Sequence, residues 1–179
     1  MQFLALISFI ALARGSFDYT GRATMMDLKS FLQAEDKIYM YYRSYSRQIS
    51  GGDPRCIYIN YIRLLNATAI DFVEAYRKHD GSSRASYVNA QISKRPSADS
   101  PPVIRATQGG LRRKYRFEYF DSAAACAVIT FSDGNCQPKC ELHIWKRNVK
   151  SGPSENCIRE YEGSCPGGKI YQVYYDNCM

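Results

Sequence analysis

Short segments in which side chains alternate between two faces recur along this chain of 179 residues. A period of two is typical of β-strands, and many of the 15 tyrosines lie in these segments. The predicted strands cover residues 37–45, 55–65, 70–78, 84–93, 114–120, 126–131, 140–145 and 169–176. In the first of them, alternation places Ile38, Met40 and Tyr42 on one face. About eight closely spaced strands predict a sandwich or a closed barrel, and a barrel of about eight strands can hold one small ligand.

Two segments have helical spacing instead. The first begins at Thr24, a suitable N-cap, and places these apolar residues on one face: Met25, Leu28, Phe31 and Leu32. The second is short, begins at a serine cap at position 154 and ends near position 163. Residues 93–110 are rich in Pro, Ser and Gly and are predicted to be mostly loop.

The first 15 residues, MQFLALISFIALARG, are predicted to be a secretory signal peptide. A short apolar run from position 3 to position 13 is followed by small residues before a cleavage site after Gly15. A membrane anchor is the alternative, but roughly 20 apolar residues are needed to cross a bilayer. We therefore expect a secreted protein with no membrane span and a single domain at residues 16–179.

The formal charge of +7 suggests a polyanionic partner such as nucleic acid or a sulfated glycan. The basic residues are scattered, however. Their densest group, LRRKYR at residues 111–116, is interpreted as a solvated hairpin in preference to a polyanion site. We predict a monomer without a nucleic-acid partner.

Seven cysteines in a secreted chain indicate a disulfide framework, and their odd number leaves at least one thiol over. Cys136 and Cys140 have the spacing of metal ligands, but no second Cys or His pair follows at zinc-finger spacing. No metal or other cofactor is therefore predicted. The sequon Asn-Ala-Thr at residues 66–68 marks Asn66 as a glycosylation site.

The segment CELHIW at residues 140–145 places Glu141, His143 and Trp145 on one face of a predicted strand. A buried carboxylate is costly unless it is paired. Glu141 and His143 could form a charge-assisted pair that satisfies both groups. The pair could line a ligand cavity, or it could only close the barrel.

Several motifs in a characteristic order carry a family resemblance. They are DLKSFLQAEDKIYMYYRSY, RCIYINYIR, CAVITF, CELHIW and a final YYDNC. Together they resemble the salivary lipocalins of ticks, the group named after its histamine-binding members, and the chain could represent the japanin-like ones. The resemblance implies an all-β fold: an eight-stranded antiparallel barrel of the lipocalin type, with an N-terminal helix and a short helix near the C-terminus.

The resemblance also implies two disulfides, Cys56–Cys178 and Cys126–Cys157. We add Cys140–Cys165 as a third pair, which leaves Cys136 over. Spacing alone does not determine connectivity.

Amine-binding members of the family hold their ligand with carboxylates and aromatic faces. This chain has Ala127 where the family has Asp, and His143 where it has Trp, while Glu141 remains. We therefore predict an apolar ligand, such as cholesterol, an eicosanoid or a fatty acid, in preference to histamine or serotonin. The predicted ligand-binding residues are Tyr39, Tyr41, Tyr42, Tyr115, Phe117, Tyr119, Glu141, His143 and Trp145.

The leading hypothesis is a secreted lipocalin that sequesters a small host ligand and so modulates host immune and inflammatory defence. The alternatives are a scavenger of biogenic amines and a binder of host cells or proteins through surface loops. An enzyme is not expected, because Gly-x-Ser-x-Gly, His-Glu-x-x-His and a reactive Cys-His signature do not occur.

Overall fold

The computed structural model describes residues 22–34, 36–49, 51–95, 100–134 and 137–179. The predicted signal peptide at residues 1–15 and the odd cysteine, Cys136, lie outside these residues, so both stay predictions. Within the described ranges, no helix combines the length and the apolar character needed to span a membrane.

In the described part of the chain, nine strands form one sheet. They are β1 (Ile38–Arg43), β2 (Arg55–Leu64), β3 (Ala69–Arg77), β4 (Ser83–Ser93), β5 (Val103–Gln108), β6 (Leu111–Asp121), β7 (Cys126–Phe131), β8 (Lys139–Trp145) and β9 (Tyr171–Gln172). Consecutive strands from β1 to β8 are antiparallel, and β1 also pairs with β8, which closes these eight strands into a barrel. The predicted eight-stranded antiparallel barrel is thereby confirmed. The short β9 pairs with the end of β1.

The helices are α1 (Met25–Leu32), α2 (Lys146–Val149) and α3 (Glu155–Ser164). Thr24 caps α1 through a reciprocal pair of hydrogen bonds with Asp27. The Ser154 hydroxyl accepts a hydrogen bond from the backbone N–H of Cys157 and caps α3. Both predicted helices are confirmed, whereas the four-residue α2 was not predicted.

Helix α1 packs into the barrel interior at one end. Its apolar face, Leu28, Phe31 and Leu32, is almost fully buried. The Phe31 ring lies 5.5 Å from the ring centroid of Phe117 and 6.2 Å from that of Trp145. The indole N–H of Trp145 also donates to the Phe31 carbonyl over 3.2 Å. Burial of each such side chain contributes about 1.5–3 kcal/mol, so α1 is held firmly in this position.

Helices α2 and α3 and the C-terminal residues form an outer layer that covers the outside of β1, β7 and β8. Three disulfides attach this layer to the barrel. They are Cys126–Cys157, from β7 to α3; Cys140–Cys165, from β8 to the end of α3; and Cys56–Cys178, from β2 to the C-terminus. All three predicted pairs are confirmed. Each such link stabilises a small protein by roughly 2–5 kcal/mol, in large part by restricting the unfolded chain.

Strand β1 has one extra residue, Tyr41, between Met40 and Tyr42 in its pairing with β8. A bulge of this kind reverses the facing of the residues that follow it. Met40 lies in the cavity wall. Tyr42 points to the outside of the barrel and packs against α3, with its ring 6.4 Å from that of Tyr161. Beyond the bulge, Arg43 faces inward. The predicted alternation is therefore wrong at Tyr42.

Candidate ligand-binding site

A cavity of about 200 Å³ lies inside the barrel, between α1 and the turn that joins β5 to β6. Aliphatic and aromatic side chains from most strands form its walls. They include Leu32, Met40, Ile57, Ile59, Phe72, Val88, Ile104, Ala106 and Ile129. The polar residues at the cavity are Arg47, Tyr58, Glu74, Gln108, Arg112, Arg113, Tyr115, Glu141 and His143. An apolar wall with a few polar groups is the usual composition of a small-molecule site.

Glu141 and His143 form a buried pair in the wall of this cavity. Both residues are 5% exposed, and Nε2 of His143 lies 3.0 Å from Oε2 of Glu141. The Tyr45 hydroxyl donates to the other carboxylate oxygen, Oε1. Burial alone would raise the pKa of Glu141, but the interactions with His143 and Tyr45 outweigh it and hold that pKa below its usual value. Glu141 is therefore ionised at neutral pH.

Two tyrosines beside Glu141 remain neutral. Burial, followed by the negative charge of Glu141, raises the pKa of both Tyr45 and Tyr115 well above the usual value. The Tyr115 hydroxyl accepts a hydrogen bond of 3.3 Å from Arg113. Both rings also contact Phe131 edge-on. The carboxylate is thus surrounded by neutral hydroxyl groups and aromatic surface.

Three arginines line the cavity, and two of them, Arg112 and Arg113, lie next to the β5–β6 turn. Arg47 pairs with Glu74 over 3.3 Å, and Gln108 donates to the same carboxylate. The Arg113 guanidinium lies 4.5 Å from the Phe131 ring centroid. Among the described residues, neither Arg112 nor Arg113 forms an ion pair with a carboxylate. This end of the cavity can therefore also interact with an anionic group.

The structure brings three of the nine predicted ligand-binding residues to the cavity: Tyr115, Glu141 and His143. Four others point to the outside of the barrel and pack against the outer layer: Tyr39, Tyr41, Tyr42 and Tyr119. Tyr39, for example, packs edge-on against Tyr174 with ring centroids 5.1 Å apart. These tyrosines are outside because they point to the other face of their strands, or because the β1 bulge shifts the alternation.

Phe117 and Trp145 do point into the barrel, but they contact α1 instead of the cavity. Helix α1 occupies the end of the barrel where these two rings lie. Strand alternation predicts their facing correctly, but it cannot predict that a helix covers them.

Sequence reasoning missed several polar groups at the site. Glu74 shares a face of β3 with Phe72, so an isolated acid at an alternating position was an available signal. Tyr45 and Arg47 follow the end of β1, where alternation no longer applies. No sequence signal marked them as neighbours of Glu141 and Glu74.

A cluster of potential metal ligands elsewhere is explained by a disulfide. Asp121, Cys126 and Cys157 lie close together in the described structure, but the two sulfurs are bonded to each other. Asp121 accepts a hydrogen bond of 2.9 Å from the Ser154 hydroxyl. The cluster therefore fastens α3 to the barrel.

The closed antiparallel barrel and its internal cavity define a lipocalin-type ligand-binding protein. The profile of the family described as tick histamine binding protein matches residues 20–179, and the chain belongs to this family. A sequence search of characterised proteins finds no significant match.

A comparison with solved structures finds similar chains. A structure titled as the AM182 serotonin complex has a TM-score of 0.60 and 14% identity, covering 84% of this chain and 92% of that one. Lobster apocrustacyanin A1 has a TM-score of 0.46 and 9% identity, with coverages of 79% and 78%. Apocrustacyanin C2 has a TM-score of 0.49 and 10% identity, with coverages of 88% and 91%. At these identities, the AM182 structure supports the barrel fold and does not identify a ligand.

Proposed function

We propose that the protein sequesters a small amine whose ammonium group is held by Glu141. The observation that carries this proposal is a buried carboxylate in the cavity wall, whose pKa is held below its usual value by His143 and Tyr45. A negative charge in a poorly solvated wall attracts a cation more strongly than the same charge in water does. Membership of the histamine-binding family supports this ligand class, and serotonin is the ligand named for the similar AM182 structure.

The surroundings of Glu141 suit a compact aromatic amine. The rings of Phe72 and Tyr115 line the cavity, and an aromatic face can add about 0.5–2 kcal/mol to the binding of a cation. The volume of about 200 Å³ is below the roughly 300–1,000 Å³ typical of sites for drug-sized ligands. The sequence-based preference for a sterol-like apolar ligand is therefore not supported.

A second candidate is a compact carboxylic acid with an apolar chain. The observation that favours it is the position of Arg112 and Arg113 at one end of an otherwise aliphatic cavity. A guanidinium group can hold a carboxylate with two parallel hydrogen bonds. In this arrangement the chain of the acid would extend along the aliphatic walls toward α1.

We further propose that the protein is secreted and acts by binding its ligand, without converting it. The three disulfides support an oxidising compartment outside the cytosol. Capture of a mediator lowers its free concentration and so weakens the host response. A separate activity through surface loops stays a prediction.

Titration calorimetry of the delipidated protein with histamine, serotonin and octanoic acid separates the two candidates. We expect Glu141→Gln to weaken amine binding by about tenfold to a hundredfold, since a hydrogen bond to a charged group contributes roughly 1.5–3 kcal/mol. Glu162→Gln, on an exposed position of α3, is the matched control and should leave affinity unchanged. Binding of the acid without either amine would replace the first candidate by the second.

A further inference from the structure

Of the two ring nitrogens of His143, one has a hydrogen-bond partner among the described residues and the other has none there. Nε2 lies 3.0 Å from the Glu141 carboxylate. Nδ1 is buried and, within the described residues, has no hydrogen-bond partner. His143 lines the cavity and is 5% exposed. Buried polar atoms are nearly always paired, so an unpaired one in a cavity wall points to a group supplied by a ligand.

The contacts of Glu141 determine which hydrogen-bonding role remains for this nitrogen. An ionised carboxylate can only accept hydrogen bonds, so Nε2 must carry the proton that lies between the two groups. In a neutral imidazole the other nitrogen is then an acceptor.

We propose that Nδ1 of His143 accepts a hydrogen bond from the ligand, and that the protein therefore selects amines that carry a second donor. The ammonium group binds at Glu141, and a hydroxyl or ring N–H on the same molecule donates to His143. This inference rests on the proposed function, and it adds a specificity-determining residue to it. An amine without the second donor would leave Nδ1 buried and unpaired.

Two pairs of ligands test the selection, because only one member of each pair carries a hydroxyl donor besides its ammonium group: tyramine with phenethylamine, and 3-hydroxyphenethylamine with 3-methoxyphenethylamine. Calorimetry with the full chain should give tighter binding of a hydroxylated member by about tenfold or more, since an unpaired buried acceptor is costly. His143→Phe removes the acceptor and should abolish the preference within each pair, whatever it does to the affinity for amines as a class. His143→Gln keeps an acceptor and should retain it.

A measurement on the unaltered protein covers the case in which a variant fails to fold. The chain has two histidines, and His79 is exposed, so their imidazole nitrogen-15 signals can be told apart. The Nδ1 signal of His143 should shift with tyramine but not with phenethylamine, whereas the signals of His79 should not respond.

Three results would overturn the inference. Equal affinity within both pairs would do so while leaving the proposed function intact. A preference that survives in His143→Phe would assign the selection to another residue. Absence of binding by all four amines would remove the proposed function and this inference together.

Discussion

Arg43 lies opposite Glu141 across the pairing of β1 with β8, yet its guanidinium donates to Asp53, 2.7 Å away in the β1–β2 loop. Arg43 is 1% exposed, whereas the Asp53 side chain is 34% exposed. The buried positive charge is thus neutralised by a loop residue. As a consequence, the charge of Glu141 is not cancelled by its neighbour across the strands and remains available to the cavity.

Asp53→Asn should destabilise the fold by roughly 2–4 kcal/mol, since loss of one partner leaves the other charge buried and unpaired. Urea unfolding measures the effect. Asp36→Asn is the control, because its pair with Lys146 is about half exposed, with 3.7 Å between the charged atoms; its effect should stay below about 1 kcal/mol. Equal effects of the two variants would contradict the importance assigned to Arg43.

The stability of the protein should depend on the titration of Glu141. Its pKa in the folded state lies below the ordinary value of 4.5, so near that value the unfolded chain binds more protons than the folded one. Stability from this group is therefore fully present above the ordinary value and is lost as the pH falls through the lower folded pKa.

Urea unfolding of the unaltered protein and of Glu141→Gln between about pH 6 and pH 3 isolates this contribution, since other carboxylates titrate in both proteins. The difference in the free energy of unfolding should be constant down to about pH 5 and shrink below it. A difference that is unchanged down to pH 3 would show that Glu141 is not stabilised as an ion.

The barrel could be predicted from the sequence because period-two alternation persists through most strands. The prediction failed in two places. The strand predicted at residues 169–176 is only the two-residue β9, Tyr171–Gln172, and is not one of the eight barrel strands. Strand β5 was not predicted. It lies within residues 93–110, which were predicted to be mostly loop from their Pro, Ser and Gly content, although residues 103–108 form a strand between β4 and β6. Pairing with neighbours on both sides overrides this local composition.

Alternation also explains how much of the site was predictable. Glu141 and His143 are two residues apart on a regular strand, so their common facing follows directly. Tyr42 was misplaced because no local signal marks the extra residue at Tyr41. Tyr45 reaches Glu141 from a segment 96 residues away in the sequence, through loop geometry that strand periodicity does not encode.

Arg113→Gln should strengthen amine binding by roughly threefold to tenfold. Two like charges about 10 Å apart repel by about 1–2 kcal/mol at an effective dielectric constant of about 20. The same variant should weaken binding of octanoic acid, which makes it a second test of the two candidate ligands. Arg105→Gln is the matched control, because Arg105 is exposed on the neighbouring strand and donates to Ser93. Calorimetry that gives the same change for both variants would contradict a local effect.

Glycosylation of Asn66 should not affect ligand binding. Asn66 is exposed in the turn between β2 and β3. In an antiparallel barrel with consecutive strands paired, this turn lies at the end opposite the β5–β6 turn, where Arg112 and Arg113 meet the cavity. A glycan there would extend away from that entrance.

The suitable variant to remove the sequon is Thr68→Ala, not a change at Asn66 itself. The Asn66 side-chain oxygen accepts hydrogen bonds of 2.9 Å from the backbone N–H groups of Thr68 and Ala69, and so shapes the turn. Thr68→Ala preserves both bonds and loses only that from the Thr68 hydroxyl. Protein secreted from insect cells should lose the mass of one glycan in this variant, with its amine affinity unchanged. An unaltered mass would show that the sequon is not used, and a weakened affinity would place the glycan or the turn nearer to the ligand than the topology of the barrel implies.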